Sequence, residues 1–188
     1  MKARWRLGLA LIVLAGALGV AHAGADSDTV KLFKDAGQSA AFFKKSYGYA
    51  IFPTIGKGGL GIGGARGSGH VYAHGKLIGD TTMTQLSIGF QAGGTAYSQI
   101  IFFEDKRALD EFTSGNFEFS AGVSAIAITS GASASSGTTG AGASASGGKK
   151  DATTAGEFYK GMAVFTIAKG GLMYEASVAG QKFSYKPR

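Results

Sequence analysis

From Tyr49 to the C-terminus, apolar side chains recur at every second position in short runs. The run QLSIGFQA, which begins at Gln85, shows this alternation clearly. Such a period is typical of β-strands that bury one face. Glycine-containing turn signals separate the runs, at His74-Gly75, Gly93-Gly94 and Ala179-Gly180. Many short strands joined in this way predict a curved antiparallel sheet, either a sandwich or a partly closed β-barrel.

Two segments have helical spacing instead. Asp28 to Tyr47 places apolar residues three or four positions apart, with candidate N-caps at Asp26 to Asp28 and a stop at Gly48. Its other side is basic, so the predicted helix is amphipathic. Glu104 to Phe112 has the pattern of a second, short helix. We therefore predict an α+β fold in which the N-terminal helix covers the sheet.

The first 23 residues have the pattern of a signal peptide. Three basic residues precede the uncharged run Leu7 to Val20, and Ala21-His22-Ala23 fits the small-x-small cleavage rule. The apolar run is shorter than the roughly 20 residues that span a bilayer, which argues against an uncleaved anchor. We expect one mature domain, Gly24–Arg188, that is exported to the periplasm, associates with the outer membrane or is secreted.

The sequence contains no cysteine. Disulfide bonds, cysteine-based metal or redox sites and a lipid-modified N-terminal cysteine are therefore excluded. The predicted leader carries three of the 19 Lys and Arg residues, which leaves 16 basic against 12 acidic residues. This mild excess is compatible with attraction to an anionic surface. Because nucleic-acid-binding proteins usually carry denser basic patches, we expect no nucleic-acid partner.

The stretch GKGGLGIGGARGSG, Gly56 to Gly69, contains two overlapping matches to G-x-G-x-x-G. A dinucleotide site needs this turn to open a helix, and the residues that follow have no helical pattern. A P-loop is also excluded, because Gly58 stands where Ser or Thr is needed. We therefore expect no cofactor. Gly59, Gly61 and Gly63 are instead predicted to form a smooth strand face that receives a helix or an aliphatic chain.

Ser130 to Gly148 contains only Ser, Gly, Ala and Thr. This composition cannot build a core. Because the strand pattern resumes afterwards, we predict a flexible loop at 130–155 inserted within one domain.

Candidate catalytic residues are few. In a strand, His70 and His74 would share a face about 13 Å apart, which is too far for one metal ion. We expect both to be exposed, and no G-x-S-x-G elbow is present. A hydrolase that uses His70, His74 and Asp80 is an alternative function, but we predict no enzyme and no metal site.

Four blocks, in this order, resemble the SYLF-domain family: YAIFPTIGKGGLGIGGARGSGHVY, LSIGFQAGGTAYSQIIFFEDKRALDEF, FSAGVSAIA and MAVFTIAKGGLMYEASVAGQKFSY. The resemblance covers about Asp28 to Tyr185. It implies a phospholipid-binding domain with no established catalytic activity. Bacterial members are small exported proteins, while eukaryotic members bind phosphoinositides and actin. For an exported bacterial member, the resemblance implies contact with actin only in a host.

Binding to an anionic phospholipid membrane needs cations for the phosphates and an apolar surface for the acyl chains. The predicted helix and the glycine-rich strands offer both. The expected lipid-binding residues are Lys31, Phe33, Lys34, Phe42, Phe43, Lys44, Lys45, Lys57, Leu60 and Arg66.

The sequence therefore predicts a non-catalytic phospholipid-binding protein of the cell envelope. The other interpretation of the helix is an ordinary surface helix with solvated lysines and core phenylalanines. The main alternative function is a structural or interaction protein that self-assembles or adheres through flat strand faces. Nothing in the sequence indicates the oligomeric state.

Overall fold

The computed structural model describes residues 13–60, 62–88, 93–120, 123, 125–128, 158, 160–169 and 178–188. Side chains are described from Gly24 onward, except at a few strand positions, Leu60 among them. The predicted loop at 130–155 lies outside the described residues.

Within this part of the chain, the helices are α1 (Val13–Asp35), α2 (Phe42–Lys45) and α3 (Lys106–Phe112). The strands are β1 (Gly48–Leu60), β2 (Ile62–Ala73), β3 (Lys76–Ile88), β4 (Gly93–Phe103), β5 (Phe117–Glu118), β6 (Ile126–Ile128), β7 (Met162–Lys169) and β8 (Lys182–Pro187).

These strands form one sheet in the order β5-β8-β3-β2-β1-β4-β7-β6. All neighbours are antiparallel except β6, which runs parallel to β7. The sheet is curled, as contacts across its inner face between strands that are not neighbours show. The rings of Phe52 on β1 and Phe183 on β8 are 5.7 Å apart, and Gln99 exchanges amide hydrogen bonds with Gln181. The predicted α+β fold with a curved antiparallel sheet is confirmed.

The inner face, around which the sheet curls, carries the larger apolar core. Phe52, Ile55, Val71 and Met83 are fully buried there. Helix α3 closes this core with Phe112, whose ring packs 4.9 Å from that of Phe103 on β4. Its N-terminus is capped by Asp105, which accepts a hydrogen bond from the Ala108 amide at 2.8 Å. The predicted second helix is thus confirmed.

The opposite, outer face carries a second core beneath α1 and α2. Phe33 of α1 and Phe42 of α2 are buried against Ile51, Ile100 and Phe102 of the sheet. Fully burying a side chain of this size contributes about 1.5–3 kcal/mol. These two phenylalanines therefore hold the helices on the outer face.

The predicted helix from Asp28 to Tyr47 is wrong in its bounds. Helix α1 begins upstream at Val13, so the predicted N-caps lie inside it, and it ends at Asp35. Gly37 follows with a φ of 63°, a left-handed conformation that glycine adopts without strain. The Ser39 hydroxyl then donates to the Phe33 carbonyl, which satisfies one acceptor at the helix end.

The glycine-rich segment is a hairpin, and not the single strand that the alternation predicted. Strand β1 ends at Leu60, β2 begins at Ile62, and Gly59 is paired with Gly63 on the inner face. The backbones are too close there for a Cβ at Gly59. Gly59 and Gly63 therefore share a face, but the prediction that they do so along one strand is wrong, and Gly61 lies outside the described residues.

The turn predictions have mixed outcomes. His74 and Gly75 both have positive φ and form the tight turn between β2 and β3, as predicted. A turn at Ala179-Gly180 is also confirmed. Gly93 and Gly94 belong to β4 instead, because they pair with Gly59 and Gly58.

Candidate functional site

One row of residues crosses six strands on the outer face of the sheet. Side chains that pair across antiparallel strands point to the same side of a sheet, so the strand register defines the row. From β7 to β8, this basic row consists of Lys169, Ala96, Gly56, Arg66, Thr84 and Lys182. Its three cations are exposed and are separated by small residues.

A second row lies directly beside the basic row and carries hydroxyl groups. This hydroxyl row consists of Thr54, Ser68, Thr82 and Ser184. Lys169 donates to the Thr54 hydroxyl at 2.9 Å and so joins the two rows at one end. At the other end, an open cleft of about 350 Å³ is lined by Arg66, Thr82, Thr84, Gly115, Asn116, Lys182, Phe183 and Ser184.

On the other side of the basic row, the outer face becomes apolar towards the free ends of β2 and β3. Ile62 is 72% exposed and Leu86 is 85% exposed. Gly64 pairs with Leu86, and Gly56 has open space where a side chain would stand. The open glycine surface is therefore on the outer face, beside two exposed aliphatic residues. We call the ends of β2 and β3 that carry Ile62 and Leu86 the apolar tip.

The predicted cations are mostly exposed. Lys31 and Lys34 lie on the outward side of α1, Lys44 and Lys45 lie on α2, and Arg66 lies in the basic row. Lys57 differs, because its partner Ala65 belongs to the inner core and Lys57 is half-buried on that face.

The predicted apolar contacts are mostly internal. Phe33 and Phe42 are buried in the outer core and do not face solvent. Phe43 is half-buried, with its ring 4.8 Å from that of Phe102 and 5.3 Å from the Lys34 ammonium. The side chain of Leu60 lies outside the described residues.

A buried polar cluster fastens α1 to β2 next to these rows. Asp26 of α1 is only 3% exposed. Its Oδ2 lies 2.7 Å from His70 Nδ1 and accepts a hydrogen bond from the Tyr72 hydroxyl at 2.6 Å. Burial and the Asp26 carboxylate raise the pKa of Tyr72 above its usual value. His70 Nε2 faces Asp80 Oδ1 at 3.5 Å, and Arg188 donates to Asp80 at 2.9 Å.

Of the three catalytic candidates, the cluster contains His70 and Asp80 but not His74. His70 is buried, so the expectation that it is exposed was wrong. His74 lies at the β2–β3 turn with its ring 4.2 Å from that of Tyr47, so His70, His74 and Asp80 do not form one site. Within the described residues, no group of three or more His, Cys, Asp or Glu side chains is placed to hold a metal ion.

The sequence reasoning found Arg66 but missed Thr84, Asn116, Lys169 and Lys182. The alternation of polar and apolar residues along β3 and β8 puts their polar side chains on one face, and this signal could have found Thr84 and Lys182. The pairing that sets Lys182 two strands away from Arg66 could not be inferred from one sequence.

The comparisons with known proteins identify the family. The profile of the family described as "Ysc84: Las17-binding protein actin regulator" matches residues 84–187, more than half of the chain. The chain belongs to this family, the SYLF-domain family. The matched segment runs from Thr84 to Pro187 and so includes Lys169 and Lys182 of the basic row.

This SYLF-domain chain is also similar to Beta cell expansion factor A from Aeromonas veronii, with 29% identity over 161 residues. The alignment covers 85% of this chain and 53% of the relative, so the chain spans about half the length of that protein. Family membership supports a lipid-binding or actin-binding role and nothing more specific, and members of the family are generally non-enzymatic. Among the described residues, no helix combines the length and apolarity required to cross a membrane.

Proposed function

We propose that this protein binds anionic phospholipid at a membrane surface of the cell envelope, without catalysis. The observation that carries the proposal is the order of chemistry along the outer face. The apolar tip, where Gly64 lies beside Leu86, is followed by the basic row, which contains Gly56, and then by the hydroxyl row. A lipid surface presents acyl chains, phosphates and polar groups in the same order, from its interior outwards.

The exposed hydrophobic residues support this interpretation. Isolated exposed apolar side chains are ordinary, but Ile62 and Leu86 are near neighbours on adjacent strands. Shallow insertion of both side chains would bring Arg66 to the phosphate level. Each Lys or Arg near an anionic surface contributes about 1 kcal/mol. The tip and the cations of the basic row would therefore reinforce each other.

The lysines of the helices are a second source of attraction. Lys31, Lys34, Lys44 and Lys45 are all exposed, and α1 lies on the same outer side of the sheet as the basic row. Phe33 and Phe42 contribute to the core instead. In this proposal the helices supply charge, and the apolar contact comes from the strands.

We propose that the protein acts in the periplasm, at the outer membrane or after secretion, because its first 23 residues have the pattern of a leader. The family description names an actin regulator. For an exported protein we propose actin as a partner only where the protein meets a host cell.

Cosedimentation with liposomes of graded phosphatidylglycerol content in phosphatidylcholine, at low and high salt, tests the proposal. Arg66→Gln with Lys182→Gln should weaken binding several-fold, and the four helix lysines changed to Gln should weaken it as well. The matched control, Lys76→Gln with Lys106→Gln, also removes two exposed charges and should bind as the wild type does. Absence of binding at low salt, where surface attraction is strongest, would refute the proposal.

A further inference from the structure

We propose that the cleft between β2, β3 and β8 binds the phosphate group of a phosphate monoester. The proposal concerns a specific site within the basic row. If the monoester is a lipid head group, the proposal rests on the proposed membrane function. If the monoester is a soluble compound, it does not.

The register brings two cations to one place. Arg66 pairs with Thr84, and Thr84 pairs with Lys182, so the two cations flank a single threonine on the same face. Their backbones are two strand spacings apart, about 10 Å. Side chains of this length can therefore converge on one ligand above Thr84.

Neither Arg66 nor Lys182 is held by a strong ion pair to any residue that the structure describes, so both can bind an anion. Among the described residues, Arg66 has no carboxylate within ion-pair distance. Lys182 contacts Glu118 at 3.5 Å, but both side chains are largely exposed, and exposed pairs contribute only about 0–1 kcal/mol. An incoming dianion can displace so weak a partner.

The cleft also supplies neutral donors. Within the described part of the chain, the hydroxyls of Thr82, Thr84 and Ser184 make no hydrogen bond to protein, and Asn116 also lines the cleft. A phosphate monoester offers three oxygens that accept hydrogen bonds. Arg binds such oxygens in a bidentate manner, while Lys acts as a point charge.

The cleft is small and open. About 350 Å³ is at the small end of the range for small-molecule sites. It suits a phosphorylated head group or a small soluble phosphate ester. A phosphate diester, with one fewer charge and one fewer terminal oxygen, would satisfy fewer of these donors.

The test uses protein expressed from the full sequence, with amide NMR shifts as the readout. Inorganic phosphate and glycerol 3-phosphate should shift the amides of Thr82, Thr84, Asn116 and Ser184. Arg66→Gln should weaken this binding at least tenfold. Lys76→Gln, which removes one exposed charge at the β2–β3 turn, should leave it unchanged.

A vesicle arm separates the two sources of the phosphate. Phosphatidic acid carries a monoester and phosphatidylglycerol a diester, so vesicles with equal amounts of either are compared. A preference for phosphatidic acid that Arg66→Gln abolishes indicates a lipid head group. Glycerol 3-phosphate binding without that preference indicates a soluble ester.

Two results would overturn the site. In the first, phosphate and its ester leave the cleft amides unshifted, or Lys76→Gln weakens binding as much as Arg66→Gln does. In the second, a preference for phosphatidic acid survives in Arg66→Gln. Binding to phosphatidylglycerol vesicles would persist in either case if the proposed membrane function holds, so the two proposals can fail separately.

Discussion

Replacing Asp26 should detach α1 from the sheet more effectively than any other single polar change in that helix. The Asp26 carboxylate is buried and is shared by His70 and the Tyr72 hydroxyl, at 2.7 and 2.6 Å. A hydrogen bond to a charged group contributes about 1.5–3 kcal/mol. Removing one partner of a buried ion pair costs about 3–5 kcal/mol, and we take this range as the upper limit for the contacts of Asp26.

One atom of Asp26 is unsatisfied in the described part of the wild-type chain, which lowers the loss of folding free energy expected from its removal. Asp26 Oδ1 is buried and makes no hydrogen bond among the described residues, so the substitution also relieves one desolvated atom. We therefore expect Asp26→Ala to lower the free energy of unfolding by about 3 kcal/mol. Tyr72→Phe keeps the ring and loses one bond, so we expect a loss of about 1.5 kcal/mol.

Urea unfolding followed by far-ultraviolet circular dichroism measures these changes. Asp28→Ala is the control, because Asp28 lies on the same helix and is exposed, and it should stay within about 0.5 kcal/mol of the wild type. Hydrogen exchange should also become faster at residues 24–35 in Asp26→Ala. A loss below 0.5 kcal/mol, with unchanged exchange, would refute the view that this cluster fastens α1.

Two further predictions concern backbone packing and alkaline pH. Gly69→Ala should lower the melting temperature by several degrees, since the new Cβ would overlap the Ile51 carbonyl. Gly56→Ala should have little effect, because the space around Gly56 is open. Equal effects of the two substitutions would contradict the described packing. Burial raises the pKa of Tyr97 to about 12 and raises that of Tyr72, so the folded state is favoured while these phenols are protonated and should lose stability as pH rises from about 10 to 12. Urea midpoints that stay constant across that range would contradict these pKa shifts.

Much of the sheet could be predicted from the sequence, because alternation depends on which face is buried. Strands β4 and β8 and the turn at His74-Gly75 follow from local patterns. The hairpin formed by β1 and β2 could not be distinguished from a continuous strand, since the glycines near the end of β1 and the start of β2 fit either structure. The early end of α1 depended on the conformation of Gly37 and on a hydrogen bond from Ser39, which a helical period does not report.

The candidate site was predictable only in part, because it depends on strand pairing. Arg66 stood out as a cation beside glycines. Its neighbour Lys182 is 116 positions away in the sequence and is brought close only by the order β8-β3-β2. The phenylalanines illustrate the opposite error. Phe33 and Phe42 fit a membrane-facing pattern and a core-facing pattern equally well, and tertiary packing decided between them.

The central claim is that the outer face docks on anionic membranes with its apolar tip inserted, and one fluorescence measurement tests it most directly. The sequence contains a single tryptophan, Trp5. With Trp5→Phe as background, Leu86→Trp places a reporter at the tip, and Leu77→Trp places one near the opposite end of β3, where Leu77 is 37% exposed.

Phosphatidylglycerol vesicles should shift the emission of Leu86→Trp to shorter wavelength and leave that of Leu77→Trp unchanged. The two positions are nine residues apart along the strand, or about 30 Å, so one docking orientation cannot bury both. An unchanged spectrum for Leu86→Trp on vesicles that bind the protein, or a larger shift for Leu77→Trp, would contradict docking through this tip.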